Sequence, residues 1–282
     1  MTSPSHWSLD DIPWERFDRS KISPDLIAVI KTAAMVERNG SDYGRYLTNV
    51  FHDDPEFRAA AAQWAKEEEQ HGIALGRWAE LADPAFKMDD AFARFVAMYR
   101  IPVDATQSVR GSRAAELCAR CVVETGTSSL YSALRDAVDE PVLKAICKNI
   151  AADEFRHYRL FFATMERMLA LEGARAHGWR MRWTRIKTAL TRFKEAEDDE
   201  IASAYHAGNG LTTPYDRASA TEAYTTRTMG FYQQRHVRRA AHMFAQAASL
   251  DPEGWLARIV GRLMWSIIER RGRAFRPVLV PH

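Results

Sequence analysis

The sequence has little cysteine, little net charge and no long apolar run. Its three cysteines, an odd number in 282 residues, argue against a disulfide framework and fit a reducing compartment. A net charge of +2 gives no overall basic field, so composition offers no reason to expect nucleic acid as a partner. No stretch of apolar residues is long enough to predict a membrane span, and the acidic N-terminal segment does not resemble a signal peptide. We therefore expect a cytoplasmic protein.

The chain also lacks the alternation of apolar and polar residues that predicts β-strands. The apolar residues recur instead at steps of three and four, which is typical of helices that bury one face. Apolar residues make up 46% of the chain and charged residues 27%, as in ordinary globular proteins. We therefore predict an all-α protein.

One predicted helix, 141–157 and beyond, carries a carboxylate and an imidazole within its apolar face. Pro141 suits the first turn, and no glycine or proline interrupts the helix after it. Burying these two polar groups without partners would cost several kcal/mol, so a compensating group such as a metal ion is expected. The stripe consists of Leu143, Ile146, Ile150, Glu154, His157, Phe161 and Met165.

The same Glu-x-x-His pair occurs a second time, at Glu68 and His71. It again lies within an apolar stripe, formed by Phe57, Ala61, Trp64, Leu75 and Trp78. Two further stripes each contain one glutamate, Glu37 and Glu124. The order Glu, Glu-x-x-His, Glu, Glu-x-x-His is that of four-helix bundles that hold two metal ions between carboxylates.

The spacing of turns supports this interpretation. Segments 51–55 and 138–141 read as tight turns, each ending in proline. About 13 or 14 residues separate each turn from the glutamate on either side, or roughly 20 Å of helix. Antiparallel packing would then bring the four carboxylates to the same height.

We divide the chain into an irregular arm (1–22), a four-helix bundle (23–172) and a helical extension (173–282) packed on it. A connection of about 30 residues, with a short helix at 89–99, separates the two helix pairs; two short turns and one long crossover are the ferritin-like arrangement. The pattern predicts one continuous first helix from the Ser23 cap to residue 51. In the extension it predicts helices at 179–207 and 215–250 and a last one ending near 272.

Two segments resemble a known family. Residues 150–157, IAADEFRH, are similar to the IAADEKRH segment of the soluble acyl-(acyl carrier protein) desaturases. Residues 64–72 resemble that family's second motif, including a tryptophan one turn before the ligand. The resemblance covers about residues 30 to 170. It ends near residue 172, and the chain is short for that family.

The resemblance implies a site with two iron ions, or one manganese and one iron, held by Glu37, Glu68, His71, Glu124, Glu154 and His157. It implies that Thr127 lies beside the dioxygen site and that Asp153 orients a ligand histidine. Carboxylates are hard, bridging ligands, and six protein ligands for two ions leave positions open for dioxygen.

We therefore expect a dioxygen-dependent oxidoreductase, a desaturase or hydroxylase, that acts on a hydrophobic substrate such as an acyl chain on a carrier. No Gly-x-Gly-x-x-Gly segment or rubredoxin-like cysteine set occurs, so electrons must come from a separate donor such as a ferredoxin. The extension could mediate homodimerisation.

Three alternatives remain open. A ferroxidase or peroxide-scavenging protein would use the same ligands. The radical subunit of ribonucleotide reductase usually has a tyrosine at the place of Leu75. A helical interaction module would simply pair its buried charges.

Other polar features have simpler interpretations as well as functional ones. Cys118 and Cys121, mid-helix, are interpreted as small buried residues rather than a redox pair. Gly40 and Gly44 either open a substrate channel or allow close helix packing. Thr127 either relays protons or bonds back to its own helix. The run from Arg235 to Arg239 is interpreted as a solvated face rather than a docking site, and His206, His236 and His242 as surface histidines.

Overall fold

A computed structural model describes residues 6–171, 179–195, 199–210 and 213–275, and no strand occurs within these ranges. The all-α prediction is confirmed. The α-helices are α1 (Pro24–Arg38), α2 (Gly40–Val50), α3 (Pro55–Ala82), α4 (Met88–Met98), α5 (Arg113–Ala137), α6 (Pro141–Leu171), α7 (Trp179–Glu195), α8 (Glu200–Asn209), α9 (Arg217–Met229), α10 (Gln234–Ala247) and α11 (Trp255–Gly272).

Short polar side chains cap three helices of the two hairpins, and the cap at Ser23 is the predicted one. Ser23 Oγ accepts a hydrogen bond from the Leu26 amide at 3.2 Å, and Asp54 Oδ1 accepts one from the Phe57 amide at 3.1 Å. Ser112 caps α5 in the same way. These short side chains satisfy amides that a first helical turn leaves without partners.

The second hairpin turns at Glu140, which is fully buried. Its Oε2 accepts hydrogen bonds from the Leu143 amide and from Trp78 Nε1, each at 2.7 Å. The Asp18 amide of the arm donates to its Oε1 at 3.1 Å. One carboxylate thus joins the arm, α3 and the start of α6.

The core is divided into two apolar clusters with a polar layer between them. One cluster contains Val29, Leu75, Leu134 and Ile146, and the other contains Leu47, Trp64, Leu117 and Phe161. Helix α3 packs on α1, α2 and α6, and α5 packs on α6. In each hairpin the chain passes from one cluster through the polar layer to the other, so the predicted glutamates share one height.

The helices of the extension contact this core. Helices α8 and α9 pack on α1, whereas α7 and α10 pack on α5. The arm, residues 6–22, forms three short 3-10 turns and contacts α6. Residues 1–5 of the predicted arm and 172–178 at the predicted domain boundary lie outside the described residues. The three-part division stays a prediction.

Two predicted continuous helices are interrupted. Asn39 separates α1 from α2, and its side-chain amide donates to Glu200 Oε1 at 3.2 Å. The predicted helix 215–250 is divided into α9 and α10 near Gly230. A Cβ on Gly230 would lie 2.5 Å from the Phe275 carbonyl, so a contact distant in sequence accompanies this break. Helices α7 and α8 cover most of the predicted segment 179–207 and continue to Asn209, but residues 196–198 lie outside the described part of the chain.

None of the helices in the described ranges combines the length and apolar character needed to cross a membrane.

Candidate metal centre

The structure brings the six predicted ligands together in the polar layer. Glu37 comes from α1, Glu68 and His71 from α3, Glu124 from α5, and Glu154 and His157 from α6. None of these residues is more than 7% exposed. They form two groups whose ligand atoms lie within 4.8 Å of one another: Glu37, Glu68, His71 and Glu154 in one, and Glu68, Glu124, Glu154 and His157 in the other.

Glu68 and Glu154 belong to both groups, whereas each remaining ligand belongs to one. Each group therefore has one glutamate and one histidine of its own, placed on either side of two shared carboxylates. Buried clusters of oxygen and imidazole nitrogen atoms with this composition could hold a metal ion.

Several atoms of the cluster are buried without a hydrogen-bond partner. These are Glu68 Oε1, Glu154 Oε1 and His157 Nδ1. His157 Nδ1 lies only 3.0 Å from Glu68 Oε1, yet the two atoms do not form a hydrogen bond of acceptable geometry. His71 Nδ1 and Glu154 Oε1 are likewise 3.3 Å apart. Atoms that approach each other without bonding fit a shared cation better than a hydrogen-bonded network.

The cluster contains more negative charge than its own side chains neutralise. No lysine or arginine within the described ranges forms an ion pair with its four carboxylates. Burial raises the pKa of Glu37 and of Glu124, and the neighbouring carboxylates raise both further. The pKa of Glu154 is instead lowered: burial would raise it, but the adjacent imidazoles of His157 and His71 favour the charged carboxylate more strongly. Protons or cations must supply the missing positive charge.

Asp153 contacts a histidine, as the resemblance implies. Its Oδ2 lies 3.0 Å from His71 Nε2, which leaves Nδ1 facing the carboxylates. Trp7 Nε1 donates to the same oxygen at 2.7 Å, and Arg156 binds the other. The Trp7 ring also stacks parallel to His71, with centroids 6.0 Å apart. Partners of this kind fix the orientation of a ligand histidine.

Glu67 holds the other histidine, a role that we did not predict. Its Oε2 lies 2.8 Å from His157 Nε2. Glu67 directly precedes Glu68, just as Asp153 precedes Glu154. The acidic residue before each Glu-x-x-His pair is therefore the sequence signal from which the role of Glu67 could have been predicted. The two contacts cross between helices, because Glu67 of α3 holds the histidine of α6 and Asp153 of α6 holds that of α3.

Two hydroxyl groups complete the contacts of the cluster. Thr127 Oγ1 donates to Glu154 Oε2 at 2.7 Å and also approaches the carbonyls of Val123 and Glu124 at 3.3 and 3.4 Å. The contact with Glu154 suits a proton relay, and the contacts with the two carbonyls suit a bond back to its own helix, so both interpretations of Thr127 are compatible with its position. Tyr131 donates its hydroxyl to Glu37 Oε1 at 2.6 Å.

The glycines beside the cluster serve close packing. A Cβ on Gly40 would clash with the Glu68 side chain, and one on Gly44 would clash with Ala65. The structure therefore favours helix packing over a channel at these positions. Cys118 and Cys121 are fully buried, and burial raises the pKa of both thiols, that of Cys118 to about 11. Inert buried thiols fit this environment.

The predicted surface position of His236 is wrong, since only 5% of this residue is exposed. His242 and His206 are both half-buried, and His206 lies against Tyr215.

No protein-family model matches the chain, and comparison with curated proteins gives no significant match. Functional inference therefore rests on the residues and geometry of the cluster.

Proposed function

We propose that this protein is a ferritin-like, di-iron oxidoreductase that uses dioxygen. The observation that carries the proposal is the pair of ligand groups sharing Glu68 and Glu154. Two shared carboxylates with one glutamate and one histidine on each side provide bridging and terminal ligands for two ions. Four carboxylates would offset two divalent cations, which fits the lack of lysine or arginine partners for these four groups within the described residues.

Iron suits this ligand set, although manganese in one position is also compatible with it. Carboxylate oxygen and imidazole nitrogen accommodate both metals. Bound ferrous ions would supply the electrons that reduce dioxygen. Six protein ligands leave positions for a small molecule, and the apolar clusters above and below the polar layer exclude water from it.

The surrounding residues hold and orient the ligands. Asp153 and Glu67 accept hydrogen bonds from the outer nitrogens of His71 and His157, so that Nδ1 of each ring faces the carboxylates. Thr127 holds its proton on Glu154 Oε2, within reach of the shared ligands. We assign Thr127 the delivery of a proton during turnover and Asp153 a positioning role.

The proposal includes a hydrophobic substrate, such as an acyl chain on a carrier, and a separate electron donor such as a ferredoxin. The apolar residues beside the ligands support the first. The absence of flavin- or nicotinamide-binding sequences supports the second.

A second candidate is a ferroxidase or peroxide-scavenging protein with the same ligands. The close packing at Gly40 and Gly44 favours it, because those positions provide no channel toward the cluster. A non-enzymatic helical module is less well supported, since buried ion pairs would not leave Glu68 Oε1, Glu154 Oε1 and His157 Nδ1 without partners.

Metal content and oxygen consumption test these proposals together. Protein produced with ample iron should contain about two ions per chain by elemental analysis. Reduced, iron-loaded protein should then consume dioxygen in repeated cycles when a reductant is supplied, while its iron content stays constant. Iron accumulating as a mineral would favour the ferroxidase, and metal content well below one ion per chain would refute both.

The Thr127→Val variant separates metal binding from turnover. It is expected to keep about two ions per chain and to consume dioxygen more slowly, by roughly 10²-fold, the lower end of typical effects for a positioned proton donor. Unchanged turnover would remove Thr127 from the mechanism.

A further inference from the structure

A second polar site lies where the beginning of α10 packs against α5 and α6. A cavity of about 120 Å³ opens there, with Ser128, Ser132 and Arg135 of α5 on one side and Arg235 and Arg239 of α10 on the other. A single water molecule requires only ~10–15 Å³ of such space. The cavity can therefore hold a group of several heavy atoms.

The walls of the cavity carry a surplus of positive charge. Three guanidinium groups, those of Arg135, Arg235 and Arg239, face one carboxylate, that of Asp136. Arg135 Nε and Arg235 Nη2 each bind Asp136 at 2.7 Å. His236 Nε2 lies 2.9 Å from the same carboxylate. Asp136 is therefore occupied by three partners.

Arg239 has no carboxylate partner among the described residues. Its guanidinium lies over the ring of Phe155, 4.2 Å from the centroid, and this contact holds it beside the cavity. The surplus charge is thus held on an ordered side chain. The run from Arg235 to Arg239, interpreted from sequence as a solvated face, instead places two of its arginines at this cavity.

Ser132 supplies an independent observation. It is only 4% exposed, it lines the cavity, and its hydroxyl has no hydrogen-bond partner. The hydroxyls of Ser128 and Ser129 donate to the carbonyls of Thr125 and His236 at 3.3 and 3.4 Å. A buried donor without an acceptor indicates that an acceptor enters from outside.

We infer that this cavity binds one oxyanionic group, a phosphate or a carboxylate. An oxyanion would accept hydrogen bonds from Ser132 and Arg239. It would also offset the positive charge of the arginines that Asp136 alone does not neutralise. Water could satisfy the serine hydroxyl but would not balance the guanidinium groups. The site is distinct from the metal ligands and does not depend on the proposed oxidoreductase activity.

The first test is calorimetric titration of the whole protein with inorganic phosphate, acetate and hexyl phosphate at low ionic strength, where charge is least screened. We expect saturable binding at one site per chain for at least one of these probes. If hexyl phosphate binds at least about tenfold more tightly than phosphate, the natural ligand is the head group of a larger amphipathic molecule. If the two bind equally, the natural ligand is a free ion. Absence of saturable binding by all three probes would overturn the proposal.

Two variants assign the binding to this cavity. Arg239→Gln should weaken anion binding about tenfold or more, since it removes a charged hydrogen-bond donor. The substitution breaks no ion pair among the described residues, so it should leave the rest of the site in place. Arg238→Gln is the matched control, because Arg238 is exposed and does not line the cavity; its affinity should stay within about twofold of the wild type.

Ser132→Ala tests the same site without risk to the fold, since the hydroxyl has no partner to lose. Binding should weaken severalfold, while the thermal unfolding midpoint without ligand stays unchanged. Wild-type affinity in both Ser132→Ala and Arg239→Gln would overturn the assignment.

Discussion

The two polar sites carry opposite surpluses of charge. The candidate metal centre contains four carboxylates and two imidazoles, with no lysine or arginine of the described part of the chain paired to those carboxylates. The cavity beside α10 presents three guanidinium groups to a single carboxylate. Both also contain buried polar atoms without partners. A polar cluster that does not balance its own charges indicates an ion from solution, and the sign of the surplus indicates which kind.

The sites differ in how strongly the fold should depend on that ion. The metal ligands lie between two apolar clusters, where an uncompensated charge costs several kcal/mol. Arg235 and Arg239 reach solvent, which screens their charge. We therefore expect metal binding to raise the free energy of unfolding substantially, and anion binding in the cavity to change it little.

The largest effect is expected from Glu68→Ala, because both ligand groups include Glu68. Metal content should fall from about two ions per chain to below about one half, as measured by elemental analysis. The neighbouring Glu69 is exposed, so Glu69→Ala is the matched control and should keep its metal. Normal metal content in Glu68→Ala would exclude Glu68 as a shared ligand.

Glu67→Gln should weaken metal binding about 10- to 100-fold, the range found when a partner of a ligand histidine is lost. The amide can still occupy the same volume, but it no longer provides a charged acceptor for His157. Competition with a chelator measures the change, and Glu69→Gln provides the control. Equal affinities in the two variants would show that the Glu67 contact does not position the ligand.

Metal uptake should release protons. Burial and neighbouring carboxylates raise the pKa values of Glu37 and Glu124. Burial alone would lower the pKa values of His71 and His157, but hydrogen bonds to carboxylates raise both. These groups retain protons at pH values where an unfolded chain has lost them, so the metal competes with protons. Apparent affinity should rise with pH, by about tenfold per unit for each proton released.

Calorimetry in buffers with different heats of ionisation counts the released protons. The same titration with acetate in place of metal provides the comparison, because neither acetate nor the arginines of the cavity titrate near neutral pH. Metal affinity that stays constant between about pH 6 and pH 8 would contradict the expected competition.

The smallest effect concerns Asp136→Asn. Burial would raise the pKa of Asp136, but hydrogen bonds from Arg135, His236 and Arg235 lower it below its ordinary value of 3.8. Its contribution to stability is therefore present above that value and is lost as pH falls through the lower folded pKa. The variant should lose about 1–2 kcal/mol at neutral pH and match the wild type in strong acid.

The same variant should bind phosphate more tightly, since a competing carboxylate is gone. Asp139→Asn is the control, because Asp139 is exposed a few residues away. Denaturant unfolding at several pH values measures the stability, and weaker phosphate binding in Asp136→Asn would contradict the expected charge balance.

Local sequence signals account for the starts of three bundle helices. Ser23, Asp54 and Ser112 cap their helices through contacts made within three residues, so the sequence alone contains the necessary information. The interruptions at Asn39 and Gly230 are accompanied by contacts with Glu200 and Phe275, which are distant along the chain. No local pattern predicts such contacts.

The candidate site divides in the same way. Glu68, His71, Glu154 and His157 stand out because their spacing places a polar pair within an apolar stripe. Glu67 contacts a histidine on another helix, and Tyr131 turns only its hydroxyl toward Glu37. A single stripe does not show which residue of a neighbouring helix a side chain will meet.

The crossed contacts of Glu67 and Asp153 have a consequence for protein engineering. A hairpin containing α3 carries one ligand histidine together with the acid that orients the histidine of the other hairpin. Grafted alone into a new scaffold, this hairpin would carry His71 without the contact from Asp153, and Glu67 without the histidine that it contacts. The smallest transplantable unit is therefore both hairpins together. A shortened version that keeps only one hairpin would complete neither of the two ligand groups, because each group takes residues from both.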